Sequence, residues 1–361
     1  MHEVKAALIR AQFLMNPGFY AVVDGQYGST GKGLLSSVLA EHAGGEVDIV
    51  TSNAGPNSGH TSYFHDEKVV LRQLPTFSVM AQLFHGEMPW THLNAGAIIE
   101  PACLKAEIDA YVRQWTKLSV SSNAAVVTDD TKNSEAAMVG AIGSTGKGTG
   151  AALAAKVMRQ SGAVFGGITT GLVQELSREF GAADLNMGLN AEMTLGKTVL
   201  AEVSQGFSLS LNAGGFYPYC TSRDCTVAQA MSDANVHPSF YRDCAMVVRT
   251  YPIRVAGNSG PCYADQRELS WDQVGQTPEL TTVTQKIRRI FTWSKGQFMD
   301  AVAANRPGVI MVNFMNYLQH VDQEAWLTRN VYEPYHAVMQ RSPKMVLLGY
   351  GPKNEDVRVH R

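Results

Sequence analysis

The stretch Phe19–Gly33, FYAVVDGQYGSTGKG, decides the fold. Its opening half is apolar, rich in β-formers and closed by Gly25, which predicts a short buried strand. Past the glycine-rich turn, LLSSVLAEHAGG (Leu34–Gly45) predicts a helix that stops on Gly44 and Gly45. Strand, glycine loop and helix together make the setting in which backbone N–H groups and a helix's positive end hold phosphate. The loop is close to a Walker A loop without being one. Five residues separate Gly25 from Gly31 where that motif has four, and Lys32 is followed by Gly33 rather than by a Mg²⁺-binding hydroxyl. The hexapeptide GSTGKG then recurs at Gly143–Gly148, inside GAIGSTGKGT, with the same departures. From the loop pattern alone, two phosphate cradles and two ordinary glycine turns with solvated lysines both remain open.

Working outward, further strands are predicted at Val47–Ser52, Lys68–Leu71, Ala124–Thr128, Val199–Glu202, Met246–Thr250, Val309–Asn313 and Met345–Gly349. Helices fall between them, for instance at Cys103–Lys117 and Ala151–Gln160. This alternation predicts an α/β fold: a largely parallel central sheet with flanking helices, in one domain spanning residues 1–361. The segments VSSNAA (Val120–Ala125) and NSGPCYADQ (Asn258–Gln266) read as surface loops.

The chain's 361 residues are 45% hydrophobic and 17% charged, enough for a large core. A net charge of −2 gives no basic field to hold nucleic acid. The densest basic group, KIRR (Lys286–Arg289), suits a small anion better. Five cysteines without a CxxC pair predict free thiols in a reducing cytoplasm; Cys220 and Cys225 lack the clustered histidines a metal site would need. The N-terminus has no signal-peptide pattern, and no apolar run approaches the roughly 18–20 residues that cross a bilayer. A soluble cytoplasmic protein, bound to no membrane, is expected.

Several segments, in order, are similar to the adenylosuccinate synthetase family. GQYGSTGKG (Gly25–Gly33) resembles its loop G-Q-W-G-D-E-G-K-G, and NSGHT (Asn57–Thr61) resembles N-A-G-H-T. NAGAIIEPACL (Asn94–Leu104), AIGSTGKGTG (Ala141–Gly150), SQGFSLSLNAGGFYPYCTS (Ser204–Ser222), TVTQKIRR (Thr282–Arg289) and GYGP (Gly349–Pro352) each resemble a later family segment. The resemblance implies the P-loop-like fold of that family, a 6-phosphoryl purine intermediate, and displacement by the aspartate amine. It assigns the triphosphate to the first loop: Gly28, Thr30, Gly31, Lys32, Gly33 and Leu34, with Gly59, His60, Thr61, Asn313, Gly351 and Pro352. It assigns the nucleoside monophosphate to Ser29, Asn57, Ser144, Thr145, Gln205 and Thr221, with Arg159 reaching in from the partner of a homodimer. Thr282, Val283, Thr284, Gln285, Lys286 and Arg288 would hold the aspartate substrate. Mg²⁺ would lie among triphosphate oxygens, Ser29 and the Gly59 carbonyl. Ser29, Lys32, His60 and Gln205 would carry the catalysis. Taken singly, His60 also reads as a surface histidine, Lys32 as a solvated helix-start lysine and Gln205 as an unremarkable loop residue.

Two departures point within the family. The loop aspartate that takes the purine N1 proton is Ser29 here, and a hydroxyl without an activator is no base at neutral pH. The guanine-reading K-x-D segment falls on MVNFMNYL (Met311–Leu318), where Asn313, Met315 and Asn316 offer no carboxylate, so ATP or dATP is expected as donor. Both departures resemble a phage branch that joins dGMP to L-aspartate on the way to 2-aminoadenine for DNA. The resemblance therefore implies a carbon–nitrogen ligase acting on dGMP. An IMP-using synthetase, a non-catalytic nucleotide sensor and a P-loop nucleoside monophosphate kinase stay open as alternatives.

Overall fold

The computed structural model describes residues 2–135, 145–180, 188–281 and 285–360. Nine strands form the central sheet: β1 (Gly18–Asp24), β2 (Ile49–Ser52), β3 (Trp90–Leu93), β4 (Leu118–Val120), β5 (Thr198–Glu202), β6 (Tyr241–Arg249), β7 (Val309–Asn313), β8 (Met345–Gly349) and β9 (Val357–His360). Their order is β9-β8-β7-β6-β1-β5-β2-β3-β4. Every pairing is parallel except the last, where β9 runs antiparallel to β8.

β1 explains the sheet's sequence signature. All seven of its residues are buried. Tyr20 and Val22 pack into one hydrophobic cluster, whereas Phe19, Ala21 and Val23 pack into a second. Successive side chains leave opposite faces of a strand, so a strand covered on both sides must be apolar throughout. Each fully buried side chain of this size contributes about 1.5–3 kcal/mol, and Phe19→Ala would cost about 3–5 kcal/mol.

Parallel pairing also brings the strands' carboxyl ends together. Val22 pairs with Glu202, Asp24 with Val247, and Arg249 with Asn313. The loops after β1, β5, β6 and β7 therefore open on one edge of the sheet, where ligands bind in open α/β folds.

Most predicted strands fall on observed ones. Lys68–Leu71 instead belongs to a separate antiparallel hairpin, His60–Phe64 with Glu67–Leu71. Ala124–Thr128 shrinks to Ala125–Val126, paired with Ile98–Ile99. The helix expected over Cys103–Lys117 is Pro101–Tyr111, ended by the extended Val112. The one expected at Ala151–Gln160 is Thr149–Val157. VSSNAA is not a surface loop: it leaves β4 and stays largely buried, with Val120, Ser121, Ala124 and Ala125 all inside. The five cysteines are free. Among the described residues, no helix is long and apolar enough to cross a membrane.

Candidate active site

The helix after β1 is Lys32–Ala43, running into a 3-10 turn at Gly44–Glu46. Its cap, Gly31, has φ 103°, and a Cβ there would lie 2.1 Å from Asn313 Nδ2. That amide donates to the Thr30 carbonyl at 3.1 Å, so only glycine lets β7 close on the loop. Gly33 lies against the Thr61 backbone, where a Cβ would approach the Thr61 carbonyl oxygen to 2.6 Å. No side chain caps this helix. Its first amides and its positive dipole end remain for an anion.

The loop is built around Asp24, a carboxylate only 1% exposed. Its Oδ1 accepts from the Gln26 N–H at 2.9 Å and the Gly28 N–H at 3.2 Å. Its Oδ2 accepts from the Thr30 hydroxyl at 2.5 Å and from Lys32 Nζ at 3.4 Å. Lys32 also donates to the Gln205 carbonyl at 2.7 Å. Lys32 is therefore a buried, doubly anchored cation rather than a solvated helix-start lysine. His60 is buried beside it; burial, then the Lys32 charge, push its imidazole down to about 3. It is a neutral ring at physiological pH, with one N–H to donate.

Two cavities adjoin at this loop. The first, of 430 Å³, is lined by Ser29, Asn57, Thr145, Gln205 and Thr221 of the monophosphate set and by Lys286 and Arg288 of the aspartate set. The second, of 540 Å³, is lined by Thr30, Gly31, Lys32, Gly33, Leu34, Gly59, His60, Thr61, Asn313, Gly351 and Pro352, the triphosphate set apart from Gly28. Ser29, Lys32, Gly59, His60 and Arg288 face both. Ser29 sits at the junction, exposed and held at φ 55°.

Three expected residues lie elsewhere. Gly28 lines the first cavity, not the second, because its N–H turns inward to Asp24. Gln285, at φ 51°, lines neither; its Nε2 donates to the Thr281 carbonyl at 3.2 Å, folding it onto its own turn. Arg159 lines neither cavity of its own chain, standing exposed at φ 58° beyond the helix Thr149–Val157. Ser144, Thr282, Val283 and Thr284 lie outside the described residues.

Sequence reasoning passes over several residues that shape the site. Asp24 is one; a carboxylate ending an otherwise apolar strand is the signal for it. Glu135 is another. Only 4% exposed, it accepts from the Gly148 N–H at 2.8 Å, from the Ala151 N–H at 3.0 Å and from the Gly150 N–H, at the start of the helix after the second loop. Arg254 is a third; its guanidinium lies 4.6 Å over the Tyr27 ring, and both line the first cavity.

The profile of the adenylosuccinate synthetase family matches residues 21–180 and 172–323. The N6-succino-2-amino-2'-deoxyadenylate synthase of Vibrio phage phiVC8 is 35% identical over 354 residues, covering 94% of this chain and 97% of that one. The adenylosuccinate synthetase of Thermococcus sibiricus is 31% identical over 277 residues, covering 75% and 76%. Among solved structures, the cyanophage S-2L succinoaminodeoxyadenylate synthetase bound to dGMP and dATP superposes with a TM-score of 0.81 at 33% identity, covering 95% of each chain.

Proposed function

The chain belongs to the adenylosuccinate synthetase family, and from that membership we propose that it joins L-aspartate to C6 of dGMP at the expense of ATP or dATP. The observation that carries this reading is Ser29 at the junction of two cavities, in the place where the family resemblance sets an aspartate. The relatives' names and the dGMP and dATP held by the cyanophage enzyme support it.

In this reading dGMP fills the first cavity. Gln205 holds O6, and Asn57, Ser144, Thr145 and Thr221 hold the remainder, with Arg159 contributed by the second subunit of a homodimer. The donor fills the second cavity, its phosphates on the uncapped helix start and Lys32. The γ-phosphoryl group passes to O6 as its bond to the bridging oxygen breaks. The aspartate amine then forms the C6–N bond, and phosphate leaves with O6. Neutral His60 donates its N–H to charge developing on the γ-phosphoryl group or O6. Groups aimed at developing charge in this way lower a barrier by about 3–4 kcal/mol each. Lys286 and Arg288 face the aspartate carboxylates; Thr282, Val283 and Thr284 belong to the same set by resemblance. Ser29 is no base for the N1 proton; the substrate's own carboxylate is one candidate for that role.

Mg²⁺ fits the site's donor chemistry. The Ser29 hydroxyl and the Gly59 carbonyl are hard oxygens, and this ion keeps most of its ligands as phosphate and water. It would neutralise donor phosphate charge. The reaction takes place in the cytoplasm, that of the host if the chain is viral.

One assay tests the reading. Purified protein receives ATP, Mg²⁺ and aspartate, with dGMP, GMP or IMP in turn. Aspartate-dependent ADP release with dGMP is expected. Turnover confined to IMP, ADP release without aspartate, or binding without turnover would each replace the reading, by a conventional synthetase, a kinase or a sensor. Ser29→Asp is expected to cut kcat/KM for dGMP by about ten- to a hundredfold. Unchanged dGMP turnover in that variant would remove Ser29 from substrate choice.

A further inference from the structure

Arg249, the last residue of β6, has the largest fully buried side chain among the described residues, with no exposure at all. It lines neither cavity, yet it touches the wall between them at three points. Its Nη1 donates to the Ser29 carbonyl at 3.1 Å. Its guanidinium forks onto Glu279, through Nη1 at 3.2 Å and through Nη2. The guanidinium carbon Cζ lies over the Phe314 ring, 3.8 Å from the centroid. Ser29, Glu279 and Phe314 all face the second cavity.

Burying a guanidinium is costly unless it is paired; the fork, the aromatic face and the carbonyl supply partners for Nη1 and Nη2, and the buried Nε alone of its nitrogens has none. The arrangement also fixes backbone that is otherwise unfavourable. Ser29 and Phe314 both sit at positive φ, 55° and 61°, which costs roughly 1–3 kcal/mol each unless the surroundings enforce it. The Phe314 carbonyl is held by the Thr250 hydroxyl at 2.8 Å, one residue past Arg249. Glu279 in turn accepts from the Tyr317 hydroxyl at 3.1 Å, and its own carbonyl accepts from the Arg288 N–H at 2.9 Å. Glu279's position thus sets where Arg288 starts, and Arg288 faces both cavities.

We infer that Arg249 is a positioning residue that couples the donor cavity to the aspartate subsite, by holding Ser29 and Phe314 in their left-handed conformations and anchoring Glu279 behind Arg288. The aspartate half of this statement rests on the function proposed above; the donor half does not. A lysine cannot reproduce the two-pronged fork onto Glu279. With a non-hydrolysable ATP analogue and Mg²⁺, Arg249→Lys is expected to weaken binding by about tenfold in titration calorimetry. In turnover, the KM for L-aspartate rises by about tenfold and kcat falls by a similar factor. Glu279→Gln, a milder change at a half-buried residue, is expected to raise the aspartate KM in the same direction. Adding it to Arg249→Lys costs less than about twofold more, because the two act as one unit. A purely structural Arg249 would give a different pattern: a lower melting temperature, with the analogue's Kd and every KM at wild-type values in both variants. That pattern overturns the inference. If the wild-type protein shows no aspartate-dependent turnover, the ligase reading falls, and the analogue's Kd in the two variants still decides the role of Arg249.

Discussion

The two copies of GSTGKG are identical in sequence and opposite in construction. In both, a buried carboxylate gathers backbone N–H groups of its loop. In the first, that carboxylate is Asp24, at the end of β1 and beneath the loop. It occupies the loop's inner amides and leaves the start of the helix Lys32–Ala43 uncapped toward the second cavity. In the second, Glu135 occupies the helix start itself, taking the amides of Gly150 and Ala151. Where the carboxylate sits decides which donors remain for a ligand. The first loop keeps helix amides and a buried lysine for a highly charged triphosphate. The second keeps hydroxyls such as that of Thr145, suited to a single phosphate. In the function proposed above, one hexapeptide serves two anions, because the residues around it differ.

The sharpest way to break that comparison is to change the two lysines alike. Lys32→Met should lower kcat by at least about 10³-fold and cost about 3–5 kcal/mol in urea denaturation, since Asp24 then stays buried without its cation. Lys147, which lines neither cavity, should tolerate the same change with less than about a tenfold loss in aspartate-dependent ADP release. Equal losses would show that the loops are built alike. A smaller effect sharpens the second loop. Glu135→Ala removes three hydrogen bonds to the helix start, which should cost about 2 kcal/mol of stability. It should also raise the KM for dGMP about fivefold in steady-state kinetics while leaving that for ATP unchanged.

The last test concerns His60, beside the first loop's lysine. Its pKa is depressed from 6.5 to about 3 by burial and by Lys32, so the unfolded chain binds this proton first as pH falls. Stability from this group is complete above pH 6.5 and declines toward pH 3, by at most about 1.4 kcal/mol per pH unit. Denaturation midpoints of His60→Asn should fall less steeply than wild type across that window. Parallel slopes would place the imidazole in solvent.

Sequence patterns carried β1, β5, β7 and β8, because a strand buried on both faces must be apolar along its length. They missed β3 and β4, where Thr91, His92 and Ser119 interrupt the pattern. Those polar residues are buried and satisfied: Thr91 Oγ1 donates to Ser78 Oγ at 2.8 Å, and His92 Nδ1 lies 2.9 Å from Ser119 Oγ. A satisfied polar residue inside a sheet looks, in one dimension, like a loop. The glycine loops and the histidine beside them were legible because backbone approach and phosphate chemistry demand particular residue types at short spacing. Asp24, Glu135 and the Arg249–Glu279 pair were not. Asp24 left only the faint signal of a carboxylate closing an apolar strand; Glu135 and the pair act across 13 to 30 residues of sequence, where no local spacing marks them.

The reversed strand at the sheet's margin has a consequence for handling the protein. β8 is Met-Val-Leu-Leu-Gly, apolar on both sides, and its outer row of amides and carbonyls is taken up by β9. The opposite margin, β4, is only three residues long and offers little to grip. A stop codon placed after Asp356 would strip the cover from β8 and present a greasy, unpaired ribbon to other copies of the chain. Such a truncation should lose solubility, through strand-to-strand stacking, before it loses its nucleotide cavities.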